Sequence, residues 1–250
     1  FDGNSLGPLP KNTIKSLDSV IQREWGNGLI RSWNDENWIN LPRNLGNQIA
    51  PLIGAKEGEV IVVDSTSVNL FKVLSSALIL NKTRKVIVTE AGNFPSDLYI
   101  LEGVNKMFGE GYERCLIDEG DDEIEKYIDS STAVVVLSHI NYKTGRITDL
   151  KKITTFAHEK GALVVWDISH SVGVFPMNLH DLGVDFAVGC TYKHLNGGPG
   201  SPGFLFVHRS LIEQVSQPLT GWLGHIKPFD FEVEYQPAND INKFICGTPP

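Results

Sequence analysis

Gly161-Ala162-Leu163-Val164-Val165-Trp166-Asp167-Ile168-Ser169-His170-Ser171 is the stretch that decides the fold. From Ala162 to Trp166 it is apolar at every position. A strand with one wet face alternates, whereas a strand buried on both faces is apolar throughout. Just upstream, Leu150, Ile153, Phe156 and Ala157 recur at helical spacing. A helix leading into a doubly buried strand is the unit from which parallel sheets are built, through right-handed crossovers.

The same alternation extends in both directions. Val60–Val63, Val86–Val88, Ala133–Leu137, Phe186–Val188 and Phe204–Val207 are further short apolar runs, and Leu70, Val73, Leu74, Ala77 and Leu78 mark a helix between the first two. The expected class is α/β, doubly wound: a mostly parallel sheet with helices on both faces and ligands at the carboxyl ends of its strands. Before the first strand, Asn4, Gly7, Pro8 and Pro10 surround Leu6 in a turn-rich opening. Ile14, Leu17, Ile21 and Trp25 then follow at helical spacing up to Gly26 and Gly28, and Trp38, Leu41, Leu45, Ile49 and Leu52 mark a second helix. The chain thus divides into a helical segment, 1–50, and a large α/β domain, 51–250. From Lys227 onward periodicity fades, and the end at Gly247-Thr248-Pro249-Pro250 reads as a chain that continues.

Composition narrows the class. The 250 residues are 41% apolar and 21% charged, enough for a core and too apolar for disorder. With 22 basic and 30 acidic residues the net charge is −8 and no basic cluster occurs, which argues against nucleic acid as a partner. The three cysteines, Cys115, Cys190 and Cys246, are far apart, which excludes a disulfide framework or zinc ribbon and suits a reducing, cytoplasmic compartment. No apolar run spans a bilayer, so no membrane partner is expected. The seven histidines show no metal-ligand spacing. The Asn81-Lys82-Thr83 sequon has no secretory context to give it meaning.

The strand ends hold the candidate chemistry. Val60–Val63 leads to Asp64-Ser65-Thr66-Ser67 and a helix beginning near Val68; hydroxyls at a helix N-terminus form an anion site or simply cap the helix. Val86–Val88 leads to Phe94-Pro95-Ser96-Asp97, where Phe94 would lie flat on a planar ligand or merely open a turn. Asp167 ends a buried strand and needs a partner: a metal, a protonated ring nitrogen, or an Arg or Lys. After Phe186–Gly189 come Tyr192-Lys193-His194-Leu195-Asn196 and a run of small residues. Desolvation lowers a lysine's pKa, and a neutral amine can form a Schiff base. Gly198, Gly200 and Gly203 match the dinucleotide fingerprint by spacing. They are rejected as one because Pro199 and Pro202 interrupt them and a strand, not a helix, follows. Taken together, an anion site, a flat aromatic, a buried carboxylate and a lysine suit pyridoxal 5′-phosphate.

Five blocks, Asp2-Gly3-Asn4-Ser5-Leu6-Gly7-Pro8-Leu9-Pro10, Phe94–Asp97, Asp167–Ser171, Tyr192–Asn196 and Gly221-Trp222-Leu223-Gly224-His225, resemble the kynureninase family in sequence and order. That family lies in the fold-type-I, class V aminotransferase-like superfamily. The resemblance implies hydrolysis of L-kynurenine or 3-hydroxy-L-kynurenine to an anthranilate and L-alanine, in a homodimer with shared active sites. It implies that Lys193 carries the internal aldimine and moves protons at Cα, and that Asp167, with Asp97, keeps the ring nitrogen protonated. Phe94 would stack on the ring, with Pro95 and Ser96 in the same cofactor-binding block, and His170 and Ser138 would lie beside it. Thr66, Ser67 and Ser65 would bind phosphate, with Tyr192 hydrogen-bonded to it. Trp222 and Thr248 would reach the phosphate of the neighbouring subunit. Ser5 and Trp33 would lie near the substrate's aryl end, so that the 1–50 segment contributes to the site. The family's second, smaller domain supplies an arginine for the substrate carboxylate; Arg31 and Arg43 do not match its position. A class V aminotransferase or cysteine desulfurase activity on the same scaffold is the nearest rival, and a non-catalytic homologue the next.

Overall fold

A computed structural model describes residues 2–248 of the chain, so the Pro249-Pro250 end lies outside the described residues. A 3-10 turn at Asp2–Asn4 precedes helix α1 (Thr13–Ser19), which widens into a π-helical stretch over Val20–Gly28. The short α2 (Ser32–Asp35) and α3 (Leu41–Ile49) complete the opening segment. The expected helices are present, but the first does not bury its apolar stripe: Ile14 is 68% and Trp25 63% exposed.

Seven strands follow: β1 (Val60–Val62), β2 (Val86–Glu90), β3 (Glu113–Ile117), β4 (Thr132–Ser138), β5 (Leu163–Asp167), β6 (Phe186–Cys190) and β7 (Gly203–Val207). They form one sheet in the order β1-β7-β6-β5-β4-β2-β3. The four pairings from β6 through β5, β4 and β2 to β3 are parallel, while β7 runs antiparallel to both β1 and β6. Strand β3 has no apolar run to announce it. As the edge strand it needs only one buried face, and Glu113, Arg114 and Leu116 are exposed.

Alternate residues of the doubly buried strands feed two separate cores. On one face, Ile61, Ile87, Val134, Val136, Val165, Phe186, Val188, Leu205 and Val207 pack with α4 (Thr66–Leu80) and α5 (Pro95–Met107). On the other, Val88, Val135, Leu137, Val164, Trp166, Ala187 and Phe206 pack with α3 and α6 (Leu150–Glu159). A short α7 (Arg209–Ile212) follows β7. The tail is better anchored than its lack of periodicity suggests, because Ile241, Phe244 and Ile245 enter the first core.

Helix α4 is apolar on almost every side because it lies between the sheet, α5 and the tail. Lys72, fully buried on it, is therefore exceptional. Its ammonium pairs with Asp64 and also donates to the Phe244 carbonyl at 2.5 Å. Asp64 sits at φ 43° in the turn from β1 to α4, a left-handed conformation that Asp and Asn tolerate better than most residues. Replacing Asp64 with alanine leaves a buried cation short of its anion and strains the turn. Because Asp64 itself is partly open to water, the expected loss is about 2 kcal/mol, below that of a fully buried pair. Asp64→Asn, which keeps an acceptor and the backbone preference, should lose clearly less. Urea midpoints of the two variants check this.

Candidate active site

Three parallel strands end side by side. Ser138 closes β4 and is in register with Asp167, the last residue of β5, which in turn is in register with Val188 two residues before the end of β6. Asp167 thus reaches the carboxyl edge of the sheet because its strand stops there, and it is 8% exposed. Its Oδ1 accepts from the Ser169 N–H at 2.8 Å, which turns the chain out of the strand and sends His170 upward. From the end of β2, Phe94 opens α5, with Pro95 and Ser96 in its first turn; one turn in, Asp97 is 4% exposed. The buried Asn93 amide joins these edges, donating to Thr89 Oγ1 and the Val136 carbonyl and accepting from the Ser138 N–H at 3.0 Å.

Asp97 and Asp167 meet and are hydrogen-bonded through their carboxyl groups. Burial first, then the Asp167 charge and that hydrogen bond, push the Asp97 carboxyl well above the usual carboxylate range, while Lys193 pulls it back. The molecule's other buried carboxylates have basic partners, Arg146 for Glu90, Arg209 and His180 for Glu59 and His158 for Asp185; no cation pairs with Asp97 or Asp167 among the described residues. An acid raised above its ordinary 3.8 takes up a proton on folding, so its contribution to stability is greatest at low pH and is lost as pH rises through the raised value. Asp97→Asn removes that dependence. In cofactor-free protein the variant's Tm, relative to the native chain, should therefore climb as pH rises from about 4 towards neutral. A difference that is flat with pH would refute the shared proton.

Lys193 acts electrostatically on the pair. Its Nζ is 2.8 Å from His170 Nε2 and 5.8 Å from the centre of the Phe94 ring. It is half-buried rather than fully dry, and Phe94 is 43% exposed. Burial, followed by the charge of Lys193, lowers His170 to about 4. Tyr192 adjoins Lys193, and burial, then the neighbouring Cys190, raises its phenol.

The helix after β1 begins two residues earlier than expected. Helix α4 begins at Thr66, and Ser65 is its N-cap, with Oγ accepting from the Val68 N–H at 3.3 Å. Ser65 is thus occupied in capping, and Thr66 and Ser67 fill the first turn. Gly203 backs this turn closely: a Cβ there would lie 3.0 Å from the Thr66 nitrogen.

The remaining candidates gather elsewhere. Trp33 stacks on Trp222, with ring centres 6.1 Å apart, and lines a cavity of about 530 Å³ with Thr248, Trp38 and Pro202; neither Lys193 nor Asp167 lines it. Ser5 is exposed beside Asn4. Arg43 is engaged by Asp240 at 3.7 Å. Gly198 and Gly200 sit at positive φ in a loop before β7, not at the start of a helix. Folding also joins groups that spacing does not reveal. Glu59, His180 and His208 come within 4.8 Å. Glu59, however, is already saturated by the Lys56 and Arg209 N–H groups, the Arg209 guanidinium and His180, a setting hostile to a metal cation. Asn4, Asn93 and Tyr142 are further neighbours of the site; for Asn4 the signal was its place in the first block that resembles the kynureninase family.

The aminotransferase class-V family model matches residues 1–250. A kynureninase from Pseudomonas fluorescens is 52% identical over 254 residues, and one from Burkholderia pseudomallei strain K96243 is 46% identical; each alignment takes in all of this chain and 61% of the relative. The chain therefore spans about three-fifths of these relatives' length. Among solved structures, the cysteine desulfurase of Thermococcus onnurineus NA1 superposes with a TM-score of 0.80 at 23% identity, over 100% of this chain and 62% of that one. A C-DES variant with glycine covalently linked to its PLP cofactor superposes with a TM-score of 0.80 at 17% identity, over 95% and 64%. These two share the fold.

Proposed function

Because the chain belongs to the aminotransferase class-V family, we propose that it binds pyridoxal 5′-phosphate and, as part of a kynureninase, hydrolyses L-kynurenine or its 3-hydroxy derivative to an anthranilate and L-alanine. The observation that carries this is the buried Asp97–Asp167 pair, which has no ion-pair partner among the described residues, together with Lys193, which acts on it electrostatically and sits against the partly exposed Phe94 ring. A protonated pyridine nitrogen supplies the missing positive charge. The 52% identity to a kynureninase selects the reaction within the family.

When bound, the cofactor supplies an electron sink for the bonds at the substrate's Cα. The protein's own groups do the rest. Lys193 Nζ is the covalent anchor and then takes and returns the proton at Cα. Asp167, with Asp97 sharing its proton, holds a positive charge at the ring nitrogen's position. The partly exposed Phe94 ring would pack against the cofactor's ring. The first turn of α4, at Thr66 and Ser67, offers N–H groups and hydroxyls to a phosphate at the positive end of the helix dipole. Tyr192, next to Lys193, would bind phosphate or pass a proton to the substrate's carbonyl side.

The Trp33–Trp222–Thr248 cluster suits an active site completed by a second copy, and we take a homodimer as the working assembly. A cysteine desulfurase needs a mobile thiol over the ring. Here Cys190 is buried at the end of β6, its Sγ turned to the Ser169 carbonyl at 3.9 Å, and Cys115 lies on β3. Incubation of the full-length protein with kynurenine should produce anthranilate fluorescence. Sulfide release from cysteine in place of that signal would transfer the assignment to a desulfurase.

A further inference from the structure

The turn Asp2–Asn4 is held against the lysine loop. The Gly7 N–H donates to the Tyr192 carbonyl at 2.8 Å, and a Cβ at Gly7 would fall 2.1 Å from the Lys193 carbonyl oxygen. This docking brings Asn4 to His170, with Oδ1 at 2.6 Å from Nδ1. The other end of the same amide, Nδ2, donates to the Tyr142 carbonyl at 3.4 Å. That second bond settles which way the amide faces, since the flipped form would set two carbonyl oxygens against each other. An amide oxygen only accepts, so Nδ1 of His170 must carry the proton. A neutral imidazole has a single N–H, which leaves a lone pair on Nε2. Nε2 in turn is 2.8 Å from Lys193 Nζ, which can only donate to it when charged.

We propose that Asn4 is a positioning residue: its amide holds His170 in the Nδ1–H tautomer, and the lone pair this leaves on Nε2 keeps the Lys193 amine in place. The tautomer stands on geometry alone; its importance for catalysis rests on the cofactor reading above. The groups facing His170 are Lys193, Asp167, His194 and the tilted Tyr142 ring at 6.3 Å. Its burial and the Lys193 charge keep the imidazole neutral at pH 7, where the choice of tautomer matters. In the other tautomer an Nε2–H would point at the lysine, and the amine would lose its acceptor.

The test is nitrogen NMR of 15N-histidine-labelled, cofactor-free protein at pH 7. The native chain should show His170 with a protonated Nδ1 and an unprotonated Nε2. Asn4→Ala should shift His170 towards the Nε2–H form and slow the covalent capture of added pyridoxal 5′-phosphate by about tenfold, the worth of one hydrogen bond. Asn4→Asp should restore the native tautomer and raise the His170 midpoint by about one pH unit or more, because a carboxylate favours the imidazolium. An Nε2–H signature in the native protein, or nitrogen shifts and midpoint unchanged in Asn4→Ala, would overturn the proposal. A native protein with the expected tautomer that never captures pyridoxal 5′-phosphate would support the Asn4 assignment and sink the cofactor reading instead.

Discussion

Lys193→Ala is expected to abolish borohydride-fixable attachment of pyridoxal 5′-phosphate and to lower turnover of kynurenine by at least about 10,000-fold, the range of a lost general base and covalent anchor combined. The reasoning is geometric. Among the described residues, Lys193 is the lysine that lies over the Phe94 ring and acts electrostatically on the buried carboxyls. Lys72 and Lys243 are more deeply buried, but their ammonium groups are spent on Asp64 and the Phe244 carbonyl, and on the Ile212 carbonyl. Lys143 pairs with Glu119 at the surface. Peptide mapping after borohydride reduction should place the label on residue 193 in the native protein and nowhere in the variant. Label on another lysine, or undiminished turnover, would remove the assignment. Lys193 is half-buried and forms no ion pair within 4 Å among the described residues, so its loss should change Tm modestly while turnover collapses, which separates chemistry from folding.

Asp167→Asn should cost about 1,000-fold in turnover, comparable to removing a preorganised charge-stabilising group from an active site. The asparagine keeps the carbonyl oxygen that accepts from the Ser169 N–H, so the turn out of β5 survives. What disappears is the anion that would hold a proton on the ring nitrogen. The paired variant makes the claim specific. Burial and Asp167 raise the Asp97 carboxyl well above the usual carboxylate range, so Asp97 gives up its proton less readily and Asp97→Asn should lower turnover far less. In cofactor-free protein Asp167→Asn also removes a buried charge that has no ion-pair partner among the described residues, and its Tm at neutral pH should equal or exceed that of the native chain. A destabilised Asp167→Asn variant, or equal losses of turnover from the two substitutions, would show that the pair is not asymmetric in the way described.

Both effects depend on residues that are legible one at a time. Asp167 is conspicuous because a carboxylate follows a run that cannot be wet on either side, and Lys193 because it follows another such run and precedes small residues. The six strands named by continuous apolar runs, β1, β2 and β4 to β7, were readable for the same reason. Burial on both faces leaves its mark in consecutive residues. The edge strand β3, with Glu113 and Arg114 exposed, carries no such mark, and neither does the reversal of β7, since direction depends on the partner and not on composition.

The amino-acid order thus determined which segments become sheet and which side chains stand at strand ends. Only the tertiary structure decided which of those ends face one another. Asp97 meets Asp167, Asn4 meets His170 and Lys193, and Lys72 meets Asp64 and Phe244 because crossovers bring distant strand ends to one edge. The physical reason is one of range. Burial acts on each residue through its own transfer free energy and so leaves a local pattern. Proton sharing, tautomer choice and ion pairing act over a few ångströms in space, between positions whose separation along the chain carries no information about their contact.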